Sequence, residues 1–223
     1  MQWPLLESLS PEDRQRVLDS TRRRRFARGE VVFHEGDPGD SLHLIESGLL
    51  AVQISTPGGE RVTLNVLSPG TFFGEMALLR NTAVRRRSAT VLALVPAQTL
   101  VVSGPAFTQL LDTHPTIERL VGAALAHRVE ELSARLLEAL YVGVERRVYG
   151  RLLELAEVCS LPSSDIVIPV TQEDLASMAG ASRPTVNMVL QKLVSRGTIS
   201  LRRRQIVIED LSALRAWTPS LDQ

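Results

Sequence analysis

The apolar positions change period along the chain. Near the start, Ser10-Pro11-Glu12-Asp13 stands before RQRVL. A serine cap, a proline in the first turn and acids at the positive end of the helix dipole predict a short helix. After the basic run Arg22 to Arg25 come short apolar pieces, EVVFHEGDPGDSLHLIESG, LLAVQISTPGGERVTLNVLSPG and SATVLALVPAQTLVVSG, which read as strands. Turn signals at Gly36-Asp37-Pro38-Gly39-Asp40, Pro57-Gly58-Gly59 and Pro69-Gly70 are spaced as in an antiparallel barrel or jelly roll. No helix-period segment is expected between Gly29 and Ser103 beyond one short turn at Glu75 to Leu79.

From about Pro105 the period becomes helical, and Pro115 to Val142 is the longest such stretch. Gly122, Leu125, Val129, Leu132, Leu136 and Ala139 follow one another at spacings of 3, 4, 3, 4 and 3, which is a coiled-coil seam. Glu130, Glu131, Arg135 and Glu138 flank it, so the pattern favours a homodimer over a single amphipathic helix packed on its own domain. Gly143 interrupts the period, and a second helix is expected over Glu145 to Val158. Ala139 to Gly143 is therefore the expected hinge. The domains are expected at 1–114, 115–142 and 143–223, in an α+β chain.

Beyond a short strand at Ile166 to Pro169, Thr171 and Asp174 start a helix, Gly180 supplies a turn, and Ser182 caps a second helix that ends before Gly197. Two short helices joined at a glycine make a helix-turn-helix. Leu175, Met178, Val186, Leu190 and Leu193 would pack the pair. Arg183, Thr185, Asn187, Met188 and Lys192 are left to face outward. A hairpin follows, Ile199 to Ile208, carrying Arg202, Arg203 and Arg204.

Charge sharpens this picture. The formal net charge is +0, yet Ser182 to Arg204 holds six basic residues and no acidic one. That distribution points to an electropositive face for double-stranded DNA, with Ser182, Arg183, Thr185, Asn187, Met188, Lys192 and Arg203 as the candidate contacts.

A second motif, FGEMALLRNTAVRRRSATV, runs from Phe73 to Val91. Gly74 allows a tight turn, and the turn from Glu75 has free N–H groups suited to an anion. A carboxylate at such a place calls for a neutral donor, such as a sugar hydroxyl, as its partner. FGEMALL followed by RRRSATV resembles the phosphate-binding cassette of cyclic-nucleotide-binding domains. With SRPTVNMVLQKL and the long helix, the chain resembles, over nearly its whole length, the bacterial transcription regulators of the cyclic AMP receptor protein and fumarate-nitrate reduction regulator family.

The resemblance implies an N-terminal jelly-roll sensor, a dimerisation helix and a C-terminal winged helix-turn-helix. It implies that Gly74 and Glu75 meet the ribose, that Arg87 and Ser88 hold the cyclic phosphate, and that Met76 and Ala77 form the turn, with Ala77 keeping it small. Arg85 and Arg86 compete with Arg87, which is favoured because Ser88-Ala89 follows it. Cyclic AMP is the implied ligand and RNA polymerase an implied partner. One departure leaves another nucleotide, or no ligand, open: the base-reading pair of the long helix corresponds to Leu132-Ser133, where only Ser133 is polar. In the recognition helix Pro184 and Met188 stand where many relatives carry glutamate and arginine, so the operator is expected to keep the guanine read by Arg183 and to differ elsewhere.

Other function classes find little support. No GxSxG, HExxH or H-x-H pattern occurs, and His34, His43, His114 and His127 are scattered, so neither a metal site nor an enzyme is expected. Cys159 is the single cysteine and cannot form an intrachain disulfide. Nothing approaches the roughly 20 apolar residues of a membrane span. With no signal segment in MQWPLLESLSPED, the chain is expected in the cytoplasm.

Overall fold

The computed structural model describes residues 3–79, 85–160 and 165–216. The chain divides into two units, Met1–Ser55 with Leu64–Leu132, and Thr56–Thr63 with Ser133–Gln223.

The first unit opens with α1 (Pro4–Glu7) and α2 (Pro11–Asp19). Ser10 caps α2, its Oγ accepting from Asp13 N at 3.1 Å. Eight strands follow: β1 (Arg22–Phe26), β2 (Val31–Phe33), β3 (Ser41–Ser47), β4 (Leu50–Ser55), β5 (Arg61–Leu67), β6 (Phe72–Phe73), β7 (Thr90–Ala93) and β8 (Ala97–Ser103). The helical turn α3 (Glu75–Leu79) lies between β6 and β7. The strands form two four-stranded sheets, ordered β1-β8-β3-β6 and β2-β7-β4-β5, the double-sheet arrangement of a jelly roll.

The basic run Arg22 to Arg25, not foreseen as a strand, forms most of β1 and pairs antiparallel with β8 at the edge of its sheet. Only Phe26 of this strand is buried. Exposed charge on an edge strand discourages pairing with other chains, and it also hides the alternation by which strands are recognised.

Alternate residues of β3 face opposite ways. Leu42 and Leu44 join a core with Trp3, Leu6, Phe107 and Ile117, whereas Ile45 joins Phe26, Leu50, Phe73 and Val91 in another. Burial on both faces explains the nearly unbroken apolar run in SLHLIES. α4 (Gly104–Thr113) is capped by Ser103, and α5 (Pro115–Tyr141) follows. Ile117 and Val121 of α5 are buried in the first core.

In the second unit, α6 (Val144–Cys159) is followed by β9 (Ile166–Ile168), α7 (Gln172–Ala179), α8 (Arg183–Ser195), β10 (Ile199–Arg202), β11 (Gln205–Ile208) and α9 (Leu211–Ala216). Thr171 and Asp174 form a reciprocal capping box on α7, Gly180 takes left-handed φ 57°, and Ser182 caps α8. Leu175, Val186, Leu190 and Leu193 are fully buried together with Leu152 of α6. The hairpin adds β9 to make a three-stranded antiparallel sheet, ordered β10-β11-β9. Among the described residues, no helix is long and apolar enough to cross a membrane.

Candidate functional site

The first unit carries a cavity of about 350 Å³ lined by Gly74, Glu75, Met76, Ala77, Arg87 and Ser88. These are six of the seven ligand residues expected from sequence. The seventh, Ser133, is exposed on α5 and outside the lining. Helix α5 contributes Leu125, Arg128, Val129, Glu131 and Leu132 to the wall.

Local geometry explains the motif's residue types. At Gly74, φ is +91°, and a Cβ there would meet Arg87 Nη1 at 2.7 Å and Ser41 O at 2.9 Å. Only glycine avoids both the strained conformation and the collision. Ala77 is packed equally close: a Cβ on Gly39 would come within 2.2 Å of the Ala77 Cβ.

Arg87 is 5% exposed. Its Nη1 donates to Ser41 O at 2.7 Å and Gly74 O at 3.1 Å, its Nη2 to Ser41 Oγ at 2.9 Å, and Asp40 Oδ1 lies 3.6 Å away. The guanidinium stacks 4.1 Å from the centroid of Phe33. Arg85 and Arg86 are exposed and outside the lining, with Arg86 Nη1 donating to Gly36 O at 2.7 Å. Arg80 lies outside the described residues.

Glu75 also has a partner within the fold that the sequence did not show: the carboxylate, 1% exposed, pairs through Oε1 with the Arg128 guanidinium. Arg128 also donates to Phe72 O at 2.6 Å. A carboxylate this deeply buried needs a counter-charge, and α5 supplies one from 53 residues away. Arg128 follows Val121 and Leu125 at helical spacing on the face turned to the jelly roll, a signal that could have found it. Burial pushes the Glu75 carboxyl above its ordinary value, with Arg128 pulling the other way.

Two buried atoms keep unused capacity: Glu75 Oε2 lacks a donor and Arg87 Nε lacks an acceptor among the described residues. The cavity thus presents an acceptor and a cation close to the Ser88 hydroxyl, which is 3.6 Å from Met76 Sδ. A phosphate ester carrying a free sugar hydroxyl matches those groups. His43 lies behind the site, stacked on Phe73 with centroids 4.8 Å apart and its Nδ1 3.1 Å from Thr99 Oγ1. Burial, and then the charge of Arg87, lower its pKa to about 3.

In the second unit, Arg183, Met188 and Lys192 are exposed on α8 while Thr185 and Asn187 are half-buried. Ser182 Oγ is used locally, accepting from Thr185 N and lying 2.8 Å from Thr185 Oγ1. Lys192 is less available than expected because its Nζ donates to Glu145 Oε2 at 2.9 Å. Arg203 is exposed in the hairpin turn beside Arg204, whose φ is 58°. Arg183, Arg202 and Arg204 line one groove together with Gln172 and Glu173.

Sequence reasoning missed Arg147. Its Nε donates to Ala179 O at 2.9 Å, Nη2 to Gly180 O at 3.2 Å and Nη1 to Val142 O at 2.9 Å. It joins the end of α7 and the turn before α8 to the chain just past α5.

On α5, Gly122, Val129, Leu132, Leu136 and Ala139 are exposed within the chain, and Leu125 is half-buried. Leu137, Leu140 and Tyr141 are exposed as well, at 57%, 66% and 81%. The apolar stripe is broader toward the end of the helix than the narrow seam expected from sequence.

Known proteins resemble both parts of the chain. Residues 23–114 match the cyclic nucleotide-binding domain and residues 146–217 the Crp-like helix-turn-helix domain. A cyclic AMP receptor protein of Thermus thermophilus is 30% identical over 211 residues, covering 95% of this chain and 94% of that protein. A CRP-like cAMP-activated global transcriptional regulator of Mycobacterium tuberculosis is 31% identical over 192 residues, covering 85% and 84%. A solved transcriptional regulator of the CRP family, also from Thermus thermophilus, superposes with a TM-score of 0.75 at 28% identity, covering 88% of this chain and 97% of that one. The chain belongs to the cyclic AMP receptor protein and fumarate-nitrate reduction regulator family, whose members are DNA-binding transcription regulators rather than enzymes.

Proposed function

We propose that the chain is a homodimeric, sequence-specific transcription regulator whose hold on DNA is tuned by cyclic AMP in the jelly-roll cavity. The observation that carries this reading is the meeting of Arg87, Ser88 and Glu75 on one cavity, with Arg87 Nε and Glu75 Oε2 still unused. Arg87 and Ser88 would donate to the cyclic phosphate, and Glu75 Oε2 would accept from the ribose 2'-hydroxyl. Arg128 makes the Glu75 carboxylate sustainable in its buried position and ties the cassette to α5. Engagement of Glu75 is thereby coupled to the helix expected to carry the dimer seam.

Pairing along Val129, Leu132, Leu136 and Ala139 would cover apolar surface exposed in the single chain. It would present two Arg183-led helices to successive major grooves, about 34 Å apart. RNA polymerase is the partner expected for a regulator bound in this way, and the cytoplasm its expected compartment.

A second reading, action without a ligand, is favoured by the internal partners that Arg87 and Glu75 already have. A ligand shifts the equilibrium only by its differential affinity for the two states. With Leu132 apolar where the family places a polar residue, DNA binding is expected without nucleotide, with modest gain on its addition.

Fluorescence anisotropy on a binding site selected by the protein from random-sequence DNA tests the reading. Arg183→Ala should relax discrimination at one position in each half-site by about 1 to 3 kcal/mol. Arg203→Ala should weaken all sequences alike and flatten the salt dependence. Equal affinity of the unmutated protein for selected and scrambled DNA would refute sequence-specific regulation, and more than about a thousandfold activation by cyclic AMP would contradict a largely preformed active state.

A further inference from the structure

The cavity wall contains a second carboxylate that the phosphate and ribose contacts do not use. Glu131 lies on α5 one turn beyond Arg128 and, like Asn65 of β5, lines the cavity. Residues three apart share a helix face, so α5 offers a cation at Arg128 and then an anion at Glu131. The Arg128 guanidinium is engaged by Glu75 and Phe72 O. Glu131 is instead steadied by Asn65, whose Nδ2 donates to Glu131 Oε2 at 3.2 Å. Asn65 Oδ1 accepts from Val66 N at 2.7 Å, which directs the amide nitrogen toward the carboxylate. On the exposed side, His127 Nε2 lies 3.6 Å from Glu131 Oε1.

An ionised carboxylate only accepts hydrogen bonds. It repels a phosphate, so a bound cyclic nucleotide would place its anion at Arg87 and a donor-bearing edge of its base at Glu131. Val129 and Leu132 beside it are apolar and cannot supply that hydrogen bond. We propose that Glu131, positioned by Asn65, is the base-reading residue of this chain, and that it selects a purine 3',5'-cyclic nucleotide bearing an exocyclic amine. The inference rests on the proposed nucleotide reading and adds to it a specificity residue one position before the expected Leu132-Ser133 pair.

The test is calorimetry on the full chain with two probes, cyclic AMP and purine riboside 3',5'-cyclic monophosphate, which has the same sugar, phosphate and ring but lacks the 6-amino donor. One charge-assisted hydrogen bond predicts roughly 10- to 100-fold tighter binding of cyclic AMP by the unmutated protein. Glu131→Ala should bring the two affinities together by weakening cyclic AMP alone. Alanine is a strong helix former and Glu131 is partly exposed, so the variant should fold. Glu131→Gln, whose carbonyl still accepts but without charge, should fall between, and Asn65→Ala should narrow the ratio less.

Equal binding of the two probes by the unmutated protein overturns the proposal. So does equal weakening of both probes by Glu131→Ala. In those two cases the nucleotide reading stands, whereas binding of neither probe removes that reading and this inference together.

Discussion

Replacing Arg128 by alanine removes the charge that makes buried Glu75 tolerable, and the magnitude can be bounded. Glu75 is 1% exposed and its second oxygen already lacks a donor. Breaking a buried pair from one side typically costs about 3 to 5 kcal/mol. The stranded carboxylate can escape by taking a proton. From the ordinary value of 4.5, protonation at pH 7.5 costs about 4 kcal/mol, since each pH unit is worth about 1.4 kcal/mol. Part of that cost already exists in the unmutated protein, because burial has raised the Glu75 pKa.

Arg128→Ala should therefore destabilise the first unit by about 2 to 4 kcal/mol at pH 7.5. The sign with pH follows from the raised pKa: the folded state takes up a proton more readily than the unfolded chain, so the penalty grows above 4.5 and shrinks as pH falls. At pH 5 the protonation part is capped near 0.7 kcal/mol, leaving about 1 kcal/mol that includes the lost bond to Phe72 O. Urea unfolding followed by Trp3 in a Trp217→Phe background isolates this unit, because the chain has 2 tryptophans and Trp3 is buried there with its Nε1 donating to Ile45 O. Adding Glu75→Gln should restore much of the stability at pH 7.5 and little at pH 5. Equal losses at both pH values, or no rescue by Glu75→Gln, would refute the argument.

Two other perturbations reach different parts of the account. His43, with a folded pKa of about 3 against 6.5 unfolded, contributes stability that is fully present above 6.5 and lost as pH falls toward 3. Compared with His43→Leu, the unmutated protein should lose up to about 1.4 kcal/mol more per pH unit between pH 6 and 4, measured by urea midpoints. Leu136→Glu puts charge on a residue 60% exposed in the single chain; sedimentation should show monomers with unchanged far-ultraviolet circular dichroism, and a retained dimer would place the interface elsewhere.

The parts of the fold legible in the sequence were those set by local chemistry. Ser10, Thr171 and Ser182 cap helices where the short polar residues stand before helical periods, and Gly180 takes the left-handed conformation its position required. The preference for Arg87 over Arg85 and Arg86 came from the small residues after it. Of the three, Arg87 is buried and lines the cavity, whereas Arg85 and Arg86 are exposed.

What escaped was tertiary. β1 was hidden because its alternation is masked by four arginines. The Glu75 partner was missed because a buried carboxylate can recruit charge from anywhere in the fold, here from Arg128 on α5. The Lys192–Glu145 pair joins residues 47 apart, and no pattern within α8 announces it. Arg147 likewise acts on carbonyls of Ala179 and Gly180, acceptors that any residue type provides.

Calorimetric titration with cyclic AMP tests the central claim most directly. The account predicts saturable heat with one nucleotide per chain, and affinity at least about tenfold weaker in Arg87→Ala, the loss expected for a charge-assisted hydrogen bond. Absence of heat from the unmutated protein, or equal affinity in Arg87→Ala, would contradict it.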